Sequence, residues 1–177
     1  MSLKPLQLGF SAVRRATGWL GLIALVTLTG CAGYSPAALQ PGQTAEQVRA
    51  LMGPPTGEHG LPGGGIRLEY ARGPAGLQTF MVDLDAQGRM TGWSQVLNDA
   101  AFARIQPGWS REQLQREFGR PAQEQVFDRL GQRVWSYRYD SWDCNWLQVS
   151  LDLRSDAVVD VSRGPDPRCQ ANDNHWD

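Results

Sequence analysis

Lysine is almost missing from this 177-residue chain: it occurs once, at Lys4, and every later side-chain cation except histidine is arginine. From Cys31 onward eighteen Asp and Glu face fourteen Arg, a formal charge of −4. The arginines are scattered, so the chain lacks the basic stripe that a nucleic acid partner requires. Histidine occurs twice, at His59 and His175, and never in a pair spaced for metal ligation. The longest apolar stretch, "GWLGLIALVTLTG", has about a dozen mostly apolar residues, short of the ~20 that a spanning helix needs. "GLPGGG" (60–65) is glycine-rich, but the lysine and following helix of a phosphate cradle are missing, so it is expected to be a loop. Asp140 and Asp143 are close in sequence, as carboxylates often are by chance, and the tail group Asp173, His175 and Asp177 reads as a chain end. These absences predict a protein that is not an enzyme and that carries no metal and no cofactor.

What is present begins with an export signal. Lys4, Arg14 and Arg15 form a positive segment ahead of the apolar stretch, which has the length of a signal-peptide core. It ends in "LTGC", Leu28 to Cys31, which resembles the bacterial lipobox, where small residues precede the cysteine whose thiol is acylated. The resemblance implies cleavage before Cys31 and a lipid anchor on that residue. Three acyl chains at ~0.8 kcal/mol per buried CH₂ make such an anchor effectively permanent. Ala32 and Gly33 stand where many Gram-negative lipoproteins carry an inner-membrane retention Asp. The resemblance therefore implies the outer membrane, facing the periplasm. Residues 1–30 are read as signal peptide and 31–39 as a lipidated linker.

The remainder repeats itself. "QPGQTAEQVRALMGPP" (40–55) and "QPGWSREQLQREFGRP" (106–121) share Gln, Pro, Gly, Glu, Gln, Gly and Pro at matching positions. The correspondence continues more loosely: "IRLEY" (66–70) with "RVWSYRY" (133–139), "LQTFMVDLD" (77–85) with "WLQVSLDL" (146–153), and "RMTGWSQV" (89–96) with "AVVDVSR" (157–163). The offset grows from 66 to about 68 or 69, as expected if loops differ while element order holds. Repeat 1 is placed at 40–97, repeat 2 at 98–169, and a tail at 170–177.

Each header predicts a short helix. Thr44 and Ser110 are N-cap residues, Gln47 and Gln113 complete capping boxes, and Glu46 and Glu112 place negative charge at the positive end of the dipole. Val48, Leu51 and Met52 give one buried stripe, as do Leu114 and Phe118. Trp109 and Leu114 form a hydrophobic staple absent from copy one, which has Gln43. Gly53 and Gly119 supply left-handed C′ residues, and Pro55 and Pro121 prevent continuation. "LNDAAFARI" (97–105) reads as a short helical connector capped by Asn98. Helices of about nine residues cannot persist alone, so each must pack on a partner.

That partner is a small antiparallel meander. Trp135, Tyr137 and Tyr139 alternate with Val134, Ser136 and Arg138 in strand period, and "DAQGR" (85–89) and "RSDA" (154–157) are turn text. The expected fold class is α+β: two tandem repeats, each a short helix or two on a three- to four-stranded antiparallel sheet. Cys144 and Cys169, an even pair in an exported chain, are read as a disulfide. A second hairpin turning near 155–156 places residues whose numbers sum to about 311–312 opposite one another, close to the 313 of this pair.

The motif PG-x-[ST]-x-x-[QE]-[VL]-x-x-x-[MF]-G-x-P, followed by an aromatic strand and a hairpin, resembles the SmpA/OmlA (BamE-like) domain of bacterial outer-membrane lipoproteins. Its carriers are Gly42, Thr44, Val48, Gly53, Pro55, Tyr70 and Asp83 in copy one, and Gly108, Ser110, Leu114, Gly119, Pro121, Trp135, Tyr137 and Asp152 in copy two. The resemblance implies a protein-binding lipoprotein connected with outer-membrane β-barrel assembly or envelope integrity. The tandem layout is also similar to the β-lactamase inhibitory proteins, which implies the alternative of an inhibitor or sensor docking a soluble periplasmic enzyme on the concave side of two sheets. Expected partners are proteins of the outer membrane or periplasm, and the membrane through the lipid anchor. In "WSYRYDSWDCNW" (135–146), Trp135, Tyr137 and Tyr139 are expected in the core, and Trp142 and Trp146 flank Cys144 as candidate partner contacts, with Trp109 a lesser one.

Overall fold

The structure is a computed structural model that describes residues 35–73 and 75–170. The signal segment, the Cys31 anchor position and the tail group Asp173, His175 and Asp177 lie outside the described residues. The first repeat contains helix α1 (Ala45–Met52) and strands β1 (Gly57–Gly60), β2 (Ile66–Ala71), β3 (Thr79–Leu84) and β4 (Met90–Gln95). A connecting helix α2 (Asp99–Phe102) precedes the second repeat, with α3 (Arg111–Phe118), β5 (Gln123–Phe127), β6 (Gln132–Tyr137), β7 (Asn145–Asp152) and β8 (Val158–Pro165), and a final turn of helix, α4 (Pro167–Gln170). Each set of four strands is an antiparallel meander in sequence order. The fold is therefore α+β in two tandem helix-plus-sheet units.

The repetition extends to single hydrogen bonds. The N–H of Gly42 donates to Met90 O at 2.8 Å, and that of Met90 to Gln43 O at 2.8 Å. Gly108, Val158 and Trp109 make the same pair of bonds, each also at 2.8 Å. Both sheets carry a register shift at one corresponding place, between Asp83 and Leu84 and between Ser150 and Leu151. Header and final hairpin are thus bonded into one unit, which gives each eight-residue helix the tertiary support it needs.

The helix ends differ from the sequence reading in detail. Thr44 and Gln47 form the complete reciprocal box. Ser110 accepts from the Gln113 N–H at 3.1 Å. Here Glu112 takes over part of the capping: bonds with its own backbone N–H and the Ser110 hydroxyl hold its carboxyl below the usual range. Gly53 (φ 81°, ψ −170°) and Gly119 (φ 73°, ψ −159°) have positive φ, but their ψ is extended and not left-handed helical. Leu51 corrects the expected stripe: Val48 and Met52 are fully buried while Leu51 is 38 % exposed. At about 100° per residue, positions 48 and 52 straddle the sheet-facing direction and position 51 falls on the flank.

Each sheet reaches the upper, four-stranded expectation through β1 and β5, whose places the sequence did not mark. They open each sheet at its edge, and "GEHG" and "QEQVF", with a single Phe at the end of the second, lack the apolar alternation that marks their neighbours. His59 consequently lies on β1, opposite Arg67, and not in a loop.

The first core gathers Val48 and Met52 of α1 with Leu68, Tyr70, Phe80, Val82, Leu84 and Met90 on one face of sheet β1–β4. Buried side chains of this size each contribute about 1.5–3 kcal/mol. The second gathers Phe102, Leu114 and Phe118 with Trp135, Tyr137, Tyr139, Leu147, Val149 and Leu151. Met81 belongs to this second core although it sits on β3. The reason is pleat: Arg67, Glu69, Met81 and Asp83 point to the opposite face from Leu68, Tyr70 and Val82. That face is covered by the C-terminal end of α3, giving the layer order α1, first sheet, α3, second sheet.

Candidate functional site

Two places concentrate unusual chemistry, the seam between the repeats and the loop between β6 and β7. At the seam, Arg67 holds Asp83 bidentately at 2.6 and 2.9 Å and reaches Glu117 Oε2 at 3.1 Å and the Arg116 carbonyl at 3.3 Å. The hydrogen bond to Asp83 raises the Arg67 pKa against the opposing effect of burial. Glu69, 1 % exposed, accepts from the Arg120 N–H at 3.1 Å and the Thr56 hydroxyl at 3.2 Å, and lies 2.9 Å from His59 Nε2. Thr56 and His59 both bond to Glu69, so one carboxylate is shared between a hydroxyl and an imidazole. Tyr137 donates to the Gly119 carbonyl at 3.2 Å, and burial, helped by the Glu69 charge, pushes its hydroxyl well above the ordinary tyrosine range. These residues join the two units. Their sequence signal, "IRLEY" with charges alternating against Leu68 and Tyr70, is also that of a solvent face.

The β6–β7 loop is built differently. Cys144 and Cys169 form a disulfide with Cα atoms 6.4 Å apart. Strand register pairs Asn145 with Pro165, so Cys144 lies just past the last pair and is reached by Cys169 from α4. The facing numbers sum to 310, one or two below the sequence expectation. Within the loop, the Ser141 hydroxyl donates to Asn145 O at 2.7 Å and accepts from Asn145 N–H at 2.9 Å, while Asn145 Nδ2 donates to Asp143 at 2.7 Å. Below it, Asp166 pairs with Arg138 at 2.7 Å. Burial pushes the Asp166 carboxyl up, but hydrogen bonds from Arg138 and the Arg168 N–H, with the charges of both arginines, outweigh it and leave the group below its usual range.

On this pinned loop Trp142 is 98 % exposed, flanked by the exposed carboxylates of Asp140 and Asp143. Beside it opens a shallow cleft of about 370 Å³, lined by Leu77, Tyr139, Asp140, Asn145 and Arg168 among others. The other two tryptophans need correction as contacts. Trp146 is 5 % exposed because Arg138 stacks over its ring at 5.2 Å, and Trp109 lies against Phe118, ring centroids 6.4 Å apart, as part of the second core. Among the described residues no group of three or more His, Cys, Asp or Glu could hold a metal ion, and no helix is long and apolar enough to cross a membrane.

No family model matches this sequence, and no curated protein matches it. Among solved structures it is similar to an extracellular protein containing a SCP domain from Bacillus anthracis str. Ames, with 14 % identity over 73 % of this chain and a TM-score of 0.27. The aligned part spans 45 % of that protein, and a likeness of this degree carries no argument about fold or function.

Proposed function

We propose that this chain is an outer-membrane lipoprotein, anchored through Cys31 and facing the periplasm, whose tandem SmpA/OmlA-like repeats act as a non-enzymatic protein-binding module serving β-barrel assembly or envelope integrity. The observation that carries the binding part is Trp142, an almost fully bare indole on a loop held by a disulfide and three internal hydrogen bonds. A soluble protein gains nothing in folding from exposing a tryptophan so completely, whereas a pre-ordered aromatic loses little entropy on binding. The lipobox-like "LTGC" and the repeated header motif support the location and the family reading.

Two experiments test the parts separately. Cys31→Ser is expected to move a folded protein from the membrane to the soluble fraction; persistence of the variant in salt-washed membranes would refute the lipid anchor. Mild-detergent pull-down followed by mass spectrometry is expected to recover envelope proteins with the wild-type chain and to lose them with Trp142→Ala. Equal recovery with both would refute the role of the loop.

A further inference from the structure

The seam between the repeats contains a second feature that the protein-binding reading does not use. A cavity of about 240 Å³ opens there, lined by Ala71, Leu97 and Ala122, by the hydroxyl-bearing Thr56 and Thr79, and by Arg120. Three observations give it chemical character. Thr79, 2 % exposed, places a hydroxyl on the wall. Arg120 spends its backbone N–H on Glu69 and stands at the exposed rim of the cavity, where its guanidinium has no hydrogen bond or ion pair among the described residues. Arg138, the other cation on the wall, is already neutralised by Asp166 at 2.7 Å and covered by Trp146. The cavity is therefore mostly apolar, with one unpaired cation at its rim and hydroxyls on its wall.

We propose that this cavity binds a small amphiphilic monocarboxylate, its apolar body between Ala71, Leu97 and Ala122 and its carboxylate on the Arg120 guanidinium. One free guanidinium matches one carboxylate in charge and in its planar fork of donors. An apolar cavity of ~150 Å³ accommodates benzene, so the larger space here suits a substituted aryl ring or a chain of about eight carbons. A free phosphate has no apolar body to fill the lining, and a neutral hydrocarbon would make no use of the Arg120 charge at the rim.

The test is a fluorine NMR titration of the full chain in phospholipid nanodiscs with 4-[4-(trifluoromethyl)phenyl]butanoic acid, using empty nanodiscs as the partition baseline. The primary amide of the same skeleton is the neutral control. The acid is expected to bind saturably above baseline, and the amide at least tenfold more weakly. Arg120→Gln, which retains the backbone bond to Glu69, is expected to weaken the acid at least tenfold. Ala122→Leu, which fills the cavity, is expected to abolish saturable binding with an unchanged near-ultraviolet circular dichroism spectrum. If that variant does not fold, Ala71→Val takes its place. Absence of saturable binding by the wild type, equal binding of acid and amide, or unaltered acid binding in either variant would overturn the proposal.

Discussion

Replacing Glu69 probes the seam most sharply, because one carboxylate there serves both repeats. Glu69→Ala leaves the part-buried Arg120 N–H without its acceptor at 3.1 Å, and a donor shielded from water and left unpaired costs about 1–3 kcal/mol. The Thr56 hydroxyl retains the Glu69 carbonyl at 3.1 Å, and His59, with 14 % of its side chain exposed, can turn to water, so these two lose less. A small cavity adds to the cost, while removing a buried charge returns part of its desolvation penalty. The expected net loss is about 2–3 kcal/mol for Glu69→Ala and about 1 kcal/mol for Glu69→Gln, which retains the shape and one acceptor. Gly119 gives an independent reading. A Cβ there would lie 2.8 Å from Glu69 Cδ, whereas at Gly53, with nearly the same backbone angles, it meets nothing within 4 Å. Both alanine variants carry backbone strain of about 1–3 kcal/mol, so the excess of Gly119→Ala over Gly53→Ala isolates the contact. Urea unfolding of the full chain, followed by tryptophan fluorescence, measures all four. Glu69→Ala within 0.5 kcal/mol of wild type, or equal effects at the two glycines, would refute a packed seam.

Three further outcomes can be checked. Asp166 has its folded-state pKa below the unfolded value of about 3.9, so its stabilisation is complete above that value and disappears as pH falls through the folded one. Asp166→Asn is thus expected to cost about 3 kcal/mol at pH 7, with the difference vanishing in acid; a constant difference across pH would contradict the ion pair. The double variant Cys144→Ser, Cys169→Ser opens a loop closed over a separation of 25 residues, and should lose about 3 kcal/mol and expose residues 140–144 to proteolysis, measured by urea unfolding and limited digestion. Trp142→Ala should alter thermal stability by less than about 0.5 kcal/mol, because the side chain is 98 % exposed; a larger loss would mean that the indole packs on the fold.

The sequence made the repeated unit legible because its punctuation is local. Caps at Thr44 and Ser110, the connector cap at Asn98 and the aromatic alternation of Trp135 and Tyr137 all reappear as structure. What escaped was set by neighbours distant in the chain. β1 and β5 are strands because β2 and β6 offer them hydrogen bonds, not because of their own composition. Nothing in "IRLEY" marks Arg67 and Glu69 as a seam, since only the three-dimensional stacking of repeats brings α3 across them. Trp142 and Trp146 are four residues apart with opposite fates, because Trp146 lies in β7 under Arg138 while Trp142 precedes the strand. Leu51 shows the same limit: its counterpart in the second helix, Glu117, faces Arg67, whereas Leu51 is 38 % exposed.

Site-specific photo-crosslinking in the intact bacterial envelope tests the protein-binding role most directly. A photoactivatable residue in place of Trp142 is compared with one in place of Val159, which is 44 % exposed on β8. A discrete covalent adduct with an envelope protein is expected at position 142 and not at 159. No adduct at 142, or the same adducts at both positions, would contradict a protein-binding role for the Trp142 loop.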